Sequence, residues 1–144
     1  MIARLPRPEP GLVFRYDYLW ARETREPKPA PSKDRPACLV ATIDSETEPL
    51  FVVILPITHS LPRGGVKGVE IPEGVRRHLG LDEARSWIVV SEYNLDEWPS
   101  AGISRVDRGT AFAYGFLPPG LLAKVKEGFL EVVRAGRAKA IRRN

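Results

Sequence analysis

Hydrophobic and polar positions alternate over LVFRYDYLW (12–20), with Phe14, Tyr16, Tyr18 and Trp20 on one face and Arg15 and Asp17 on the other. Period-two alternation rich in aromatic residues predicts a half-buried strand. PACLVATI (36–43) and LFVVILPI (50–57) are instead unbroken apolar runs, separated by the polar stretch DSETEP. Their length, their β-branched content and the short connection predict an antiparallel hairpin in the core. SWIVVSEY (86–93) predicts another buried strand, and VEI (69–71) a short one.

Two segments carry helical signals. PEGVRRHLGL (72–81) has Pro72 at a first helical position, Val75 and Leu79 four apart, and Gly80 as a stop. LPPGLLAKVKEGFLEVVRAGR (117–137) sets Leu121, Val125, Phe129 and Val132 on one apolar face. Between the elements, ARETREPKPAPSKD (21–34) spaces Pro27, Pro29 and Pro31 at alternate positions and predicts an extended, helix-incompatible loop. THSLPRGGVKG (58–68) reads as a mobile loop. WPSAGISRVDRGTAFAYGF (98–116) reads as a loop with weak strand character near 103–106 and 111–116. Short strands followed by one long helix predict a mainly β fold with helices (α+β), a small barrel or sandwich. One domain covers 1–144, with a core over about 11–136 and a flexible basic end.

Composition narrows this picture. The 144 residues are 43% hydrophobic and 28% charged, which are globular values with enough chain for one core. The single cysteine, Cys38, excludes an internal disulfide framework and suits a reducing, cytoplasmic setting. No apolar run approaches the roughly 20 residues that span a bilayer, and MIARLPRPEPG lacks the apolar stretch of a signal peptide. The net charge of +4 sits at one end. Residues 121–144 hold seven Lys or Arg against two Glu, so the rest of the chain sums to −1. That distribution weakens the general nucleic-acid reading a high pI invites.

Chemistry is sought where strand ends meet loops. No G-x-S-x-G elbow is present, the two histidines and Cys38 lack metal spacing, and PRGGVKG departs from a phosphate-loop motif. No metal or cofactor is expected. In an antiparallel hairpin the start of the first strand lies beside the end of the second. Arg35, opening one strand, and Thr58, closing the next, are therefore expected neighbours. A guanidinium fork and a hydroxyl can share one phosphate. Two plainer readings stay open: a rim arginine paired with Asp34 or Glu92, and a threonine capping a turn.

PGLVFRYDYLW, a polar loop, KDRPACLV, LFVVILPIT and SWIVVSEYNLD, in this order over residues 11 to 133 with the final helix, resemble the PemK/MazF toxin family. The resemblance implies an SH3-like barrel, a homodimer and the toxin of a type II toxin–antitoxin pair, restrained by an antitoxin protein. It implies metal-independent cleavage of single-stranded RNA to a 2′,3′-cyclic phosphate and a 5′-hydroxyl. Arg35 matches the family's R-P arginine and Thr58 its P-x-T threonine, while Glu92 falls at the acid following the strand. These three are the candidate catalytic residues, Glu92 as base with His59 as the alternative. Candidate substrate contacts are His59, Trp20, Lys33, Arg63, Lys67, Asn94 and Trp98. Val90 stands where some members present an arginine, and the first loop and WPSAG also depart from the pattern.

VEIPEGVRRHLGLDEARSWIVV resembles half of an AbrB-like swapped-hairpin DNA binder, but it would account for only part of the chain. The competing expectation is a barrel of the same fold without ribonuclease activity, binding protein or DNA in the manner of a gyrase inhibitor or an AbrB-like regulator.

Overall fold

A computed structural model describes residues 5–28, 33–44, 49–106 and 111–143. Pro29 and Pro31 of the proline-spaced loop, and residues 45–48 of the expected hairpin turn, lie outside the described residues. The elements run β1 (Leu12–Tyr16), a 3₁₀ turn (Ala21–Arg25), β2 (Arg35–Ile43), β3 (Leu50–Thr58), β4 (Gly68–Glu70), α1 (Glu73–Leu79), β5 (Trp87–Val89), β6 (Glu92–Trp98), β7 (Ile103–Ser104), β8 (Ala113–Phe116), α2 (Pro119–Arg134) and β9 (Lys139–Arg142). The fold is mainly β with two α-helices, as the pattern predicts. The strand pairing does not close into a barrel among the described residues.

The β2–β3 hairpin is the centre of the sheet, with Cys38 opposite Leu55 and Leu39 opposite Ile54. Both strands are buried on both faces, which is why their sequences are continuous apolar runs rather than alternating ones. One face packs Cys38, Val40, Val53, Leu55 and Ile57 against α1 and α2, through Leu79, Leu121 and Val125. The other packs Leu39, Val52 and Ile54 against Phe14, Tyr16, Tyr18 and Trp20. The aromatic face of LVFRYDYLW is thus fully interior, although strand geometry ends at Tyr16. β1 pairs with β2, β7 and β8. The AbrB-resembling segment forms β4 and α1 inside this same domain, with Ile71 and Leu79 in the core. Gly80, at φ 73°, ends α1 in the left-handed conformation that glycine tolerates best.

Three expectations are corrected. The stretch 86–93 is not one strand: Val90 and Ser91 separate β5 from β6, and β6 continues to Trp98. Polar Asn94 and Asp96 occupy its inward positions, which hides the strand from a hydrophobicity reading. The loop after Trp20 begins with a 3₁₀ turn, where the Glu23 carboxylate accepts the Trp20 N–H at 2.9 Å. The basic end is no loose tail. Lys139–Arg142 form β9, the parallel neighbour of β6, and the Arg143 guanidinium reaches Tyr16, Asp17 and Asn94. Among the described residues, no helix is long and apolar enough to cross a membrane.

Three acidic protons are locked in this core. Burial pushes the Cys38 thiol up to about 12 from an ordinary 9.0. Burial, followed by the Asp96 hydrogen bond, raises Tyr16, and burial together with Glu92 raises Tyr18. The folded chain keeps these protons at pH values where the unfolded chain sheds them. Their contribution to stability is therefore full below about pH 9 and is lost as pH rises above it. Thermal melts at pH 7, 9, 10 and 11 are expected to show a falling midpoint above pH 9. An unchanged midpoint at pH 11 would contradict this.

Candidate functional site

The hairpin carries Arg35 and Thr58 to one cavity. Its register runs out to Ala37 opposite Pro56, and beyond that pair Arg35 opens β2 and Thr58 closes β3 at the same end of the hairpin. Both line a cavity of about 410 Å³, together with Lys33 and His59. Leu81, Asp82 and Ser86 close the far wall, because β5 folds back on β3 with Trp87 opposite Thr58. Asp34, on the same cavity, accepts a hydrogen bond from Ser104 at 2.9 Å.

Arg35 is held by aromatic packing. Its guanidinium lies 5.1 Å from the centre of the Trp20 ring, and Arg22 lies 4.6 Å from the same ring. Two cations on one indole concentrate positive charge beside the cavity. Burial first, and then the repulsion of Arg22, make the charged form of Arg35 harder to hold, and its pKa is lowered. An anion in the cavity would relieve both effects. Thr58 Oγ1 accepts the Ser60 N–H at 3.1 Å, which orients the hydroxyl and leaves its own proton to donate.

His59 bridges to the far wall. Its Nδ1 lies 2.9 Å from the Arg85 carbonyl and its Nε2 lies 3.0 Å from Asp82. Both partners are acceptors, so the ring makes both hydrogen bonds only as the imidazolium. Ser86 is the anomaly. It is 2% exposed, and its Oγ has no hydrogen-bond partner among the described residues. A buried hydroxyl left unpaired costs about 1–3 kcal/mol, so the empty protein gains nothing from it. Ser86→Ala is expected to hold or raise the denaturation midpoint. A clear loss of stability would mean that the hydroxyl serves the fold.

Other sequence candidates fall elsewhere. Glu92 does not line the cavity; its carboxylate accepts from the Tyr18 hydroxyl at 3.1 Å and the Ala21 N–H at 2.9 Å. Asn94 is fully buried, exchanging two hydrogen bonds with the Leu19 backbone, and offers substrate no surface. Trp20 is interior and supports Arg35 rather than presenting a stacking face. Trp98 pairs with Leu50 at the opposite end of β3 and packs against Phe14. Arg63 and Lys67 are exposed in the glycine loop, and Lys67 lines a separate groove against α2. Lys33 alone of the outer basic candidates joins the cavity.

Sequence reading missed Asp82 and Ser86. The available signal was LGLDEARSW, a helix stop followed by a polar link into a strand, but only the β3–β5 pairing brings that link across from His59. Among the described residues, no group of three His, Cys, Asp or Glu is arranged to hold a metal ion. No protein-family model matches the chain, and no curated protein matches it.

Proposed function

We propose that this protein is the endoribonuclease toxin of a toxin–antitoxin pair, a diverged PemK/MazF-like enzyme on an SH3-like, incompletely closed barrel. It acts as a homodimer and is restrained by a cognate antitoxin. The observation that supports this reading is that Arg35 and Thr58, at one end of the β2–β3 hairpin, line one cavity. Its substrate is single-stranded RNA, whose splayed backbone can enter such a cleft.

Cleavage proceeds by attack of the 2′-oxygen on the adjacent phosphorus. The bond from phosphorus to the 5′-oxygen then breaks, giving a 2′,3′-cyclic phosphate and a 5′-hydroxyl. The Arg35 guanidinium and the Thr58 hydroxyl bind the non-bridging oxygens, where charge builds in the pentacoordinate transition state. Two proton transfers remain, and the His59–Asp82 pair is the proton-handling pair lining the cavity. Asp82 takes the proton from the 2′-hydroxyl, and the His59 imidazolium gives one to the leaving 5′-oxygen. This replaces Glu92, which does not line the cavity.

Incubation of the purified protein with single-stranded RNA and a chelator tests the reading. The expected result is discrete cutting with cyclic phosphate ends. Intact RNA at high protein concentration would contradict it.

A further inference from the structure

Arg76, on α1, is 8% exposed, and its charge is answered only across space, by Glu70, whose carboxyl it helps to hold below its ordinary pKa after Arg85. Nη1 donates to the Ile71 carbonyl at 2.8 Å, while Nε has no hydrogen-bond partner among the described residues. No carboxylate lies within ion-pair distance of it among the described residues. Burying a guanidinium this way is costly unless something completes its hydrogen bonding.

Arg76 lines a second cavity, of about 460 Å³, with Arg77, Glu73, Glu83, Leu81 and Asp82. Leu81 and Asp82 also line the Arg35–Thr58 cavity, so the two adjoin across this shared wall. Two of the three carboxylates are already engaged. Glu73 binds Arg77 at 3.0 Å, and Asp82 binds His59 and the Ala84 N–H. Glu83 makes no hydrogen bond or ion pair among the described residues and is exposed.

The second cavity therefore offers one cation without an ion pair among the described residues and one unengaged carboxylate. A phosphate would answer Arg76 but be repelled by the unengaged Glu83. A neutral ligand with acceptors on one edge and paired donors on another suits both groups. Among the nucleobases that ligand is guanine: O6 and N7 accept from an arginine, and N1–H with the 2-amino group donate to a carboxylate. Adenine has no such donor pair, and cytosine and uracil each present a single donor site to a carboxylate.

We propose that the Arg76–Glu83 cavity is a guanine subsite, reading the base that flanks the phosphate held by Arg35 and Thr58. This inference rests on the ribonuclease reading for its place beside the cut, but base binding by itself does not require cleavage.

The test uses the full chain, titrated with the four phosphate-free nucleosides and followed by NMR chemical shifts. Guanosine is expected to bind about tenfold or more tighter than adenosine, cytidine or uridine, in line with one good bidentate pair. Glu83→Gln, an exposed substitution that leaves the core untouched, is expected to abolish that preference, as is Arg76→Met. Arg35→Ala is expected to keep the preference for guanosine. It should lose the extra affinity that guanosine monophosphate gains from its phosphate. Equal binding of the four nucleosides, no binding of any, or a preference that survives Glu83→Gln would overturn the inference. Product-end mapping separates the two readings. RNA cut with no preference for an adjacent guanine overturns the subsite and leaves the ribonuclease standing. Intact RNA with selective guanosine binding does the reverse.

Discussion

Arg35→Ala is expected to lower the rate of RNA cleavage by about 10²–10³-fold, the usual cost of removing one preorganised donor to a developing oxyanion. The chain should stay folded. The packing of Arg35 on Trp20 contributes on the order of 1 kcal/mol, and Trp20 is also braced by Tyr18 at 5.2 Å and by Arg22. Arg35→Lys should recover little, because an ammonium neither forks across two phosphate oxygens nor stacks on indole in the same way. Cleavage is read with labelled RNA, and folding by near-UV circular dichroism, which reports the aromatic core. A variant that cuts at the wild-type rate would remove Arg35 from the chemistry. A variant that loses its near-UV signal would make Arg35 a structural residue first.

Arg143→Ala should have the largest effect on stability. The guanidinium donates from Nη1 to the Tyr16 hydroxyl at 2.9 Å, the Asp17 carbonyl at 2.9 Å and Asn94 Oδ1 at 3.1 Å. From Nη2 it reaches Asp17 Oδ1 at 2.9 Å, and its side chain is 13% exposed. It thus ties β9 to the chain just after β1 and to β6, and its loss removes the cation that Asp17 pairs with and one hydrogen bond each from buried Tyr16 and Asn94. Removing one member of such a cluster costs about 3 kcal/mol or somewhat more. The denaturant midpoint should fall accordingly with little change in slope. Arg143→Lys should lose most of the same stability, since one ammonium cannot reach all four acceptors. A midpoint within experimental error of wild type would show that β9 is a dispensable edge.

Arg143 also marks the limit of sequence reading. As one of seven basic residues near the end of the chain it looked like a solvated charge, and nothing local announces that Asp17 and Tyr16 are its partners. The β2–β3 hairpin was legible because its strands are buried on both faces and so run apolar without a break. Its antiparallel geometry brings Arg35 and Thr58 to one end of the hairpin, where both line one cavity. β6 was only partly legible, since its inward positions are Asn94 and Asp96. They are kept inside by hydrogen bonds to Leu19, Tyr16 and Ser100 that no periodicity reveals. The far wall of the cavity was invisible for a related reason. Asp82 and Ser86 reach it through a long-range strand pairing, and a lone serine or aspartate in a polar link carries no pattern. Glu92 was chosen by its place in a motif. The structure gives it two hydrogen bonds that fix Tyr18 and the start of the 3₁₀ turn.

The central claim is that Arg35 and Thr58 grip one phosphate in the transition state, and a double-mutant cycle measures this most directly. Cleavage rates of wild type, Arg35→Ala, Thr58→Ala and the double variant would be compared on one RNA in the presence of chelator. Groups acting on the same oxyanion are strongly non-additive, so the double variant should be scarcely slower than Arg35→Ala alone. Two single effects that simply multiply, or single variants that cut as fast as wild type, would contradict a shared phosphate site.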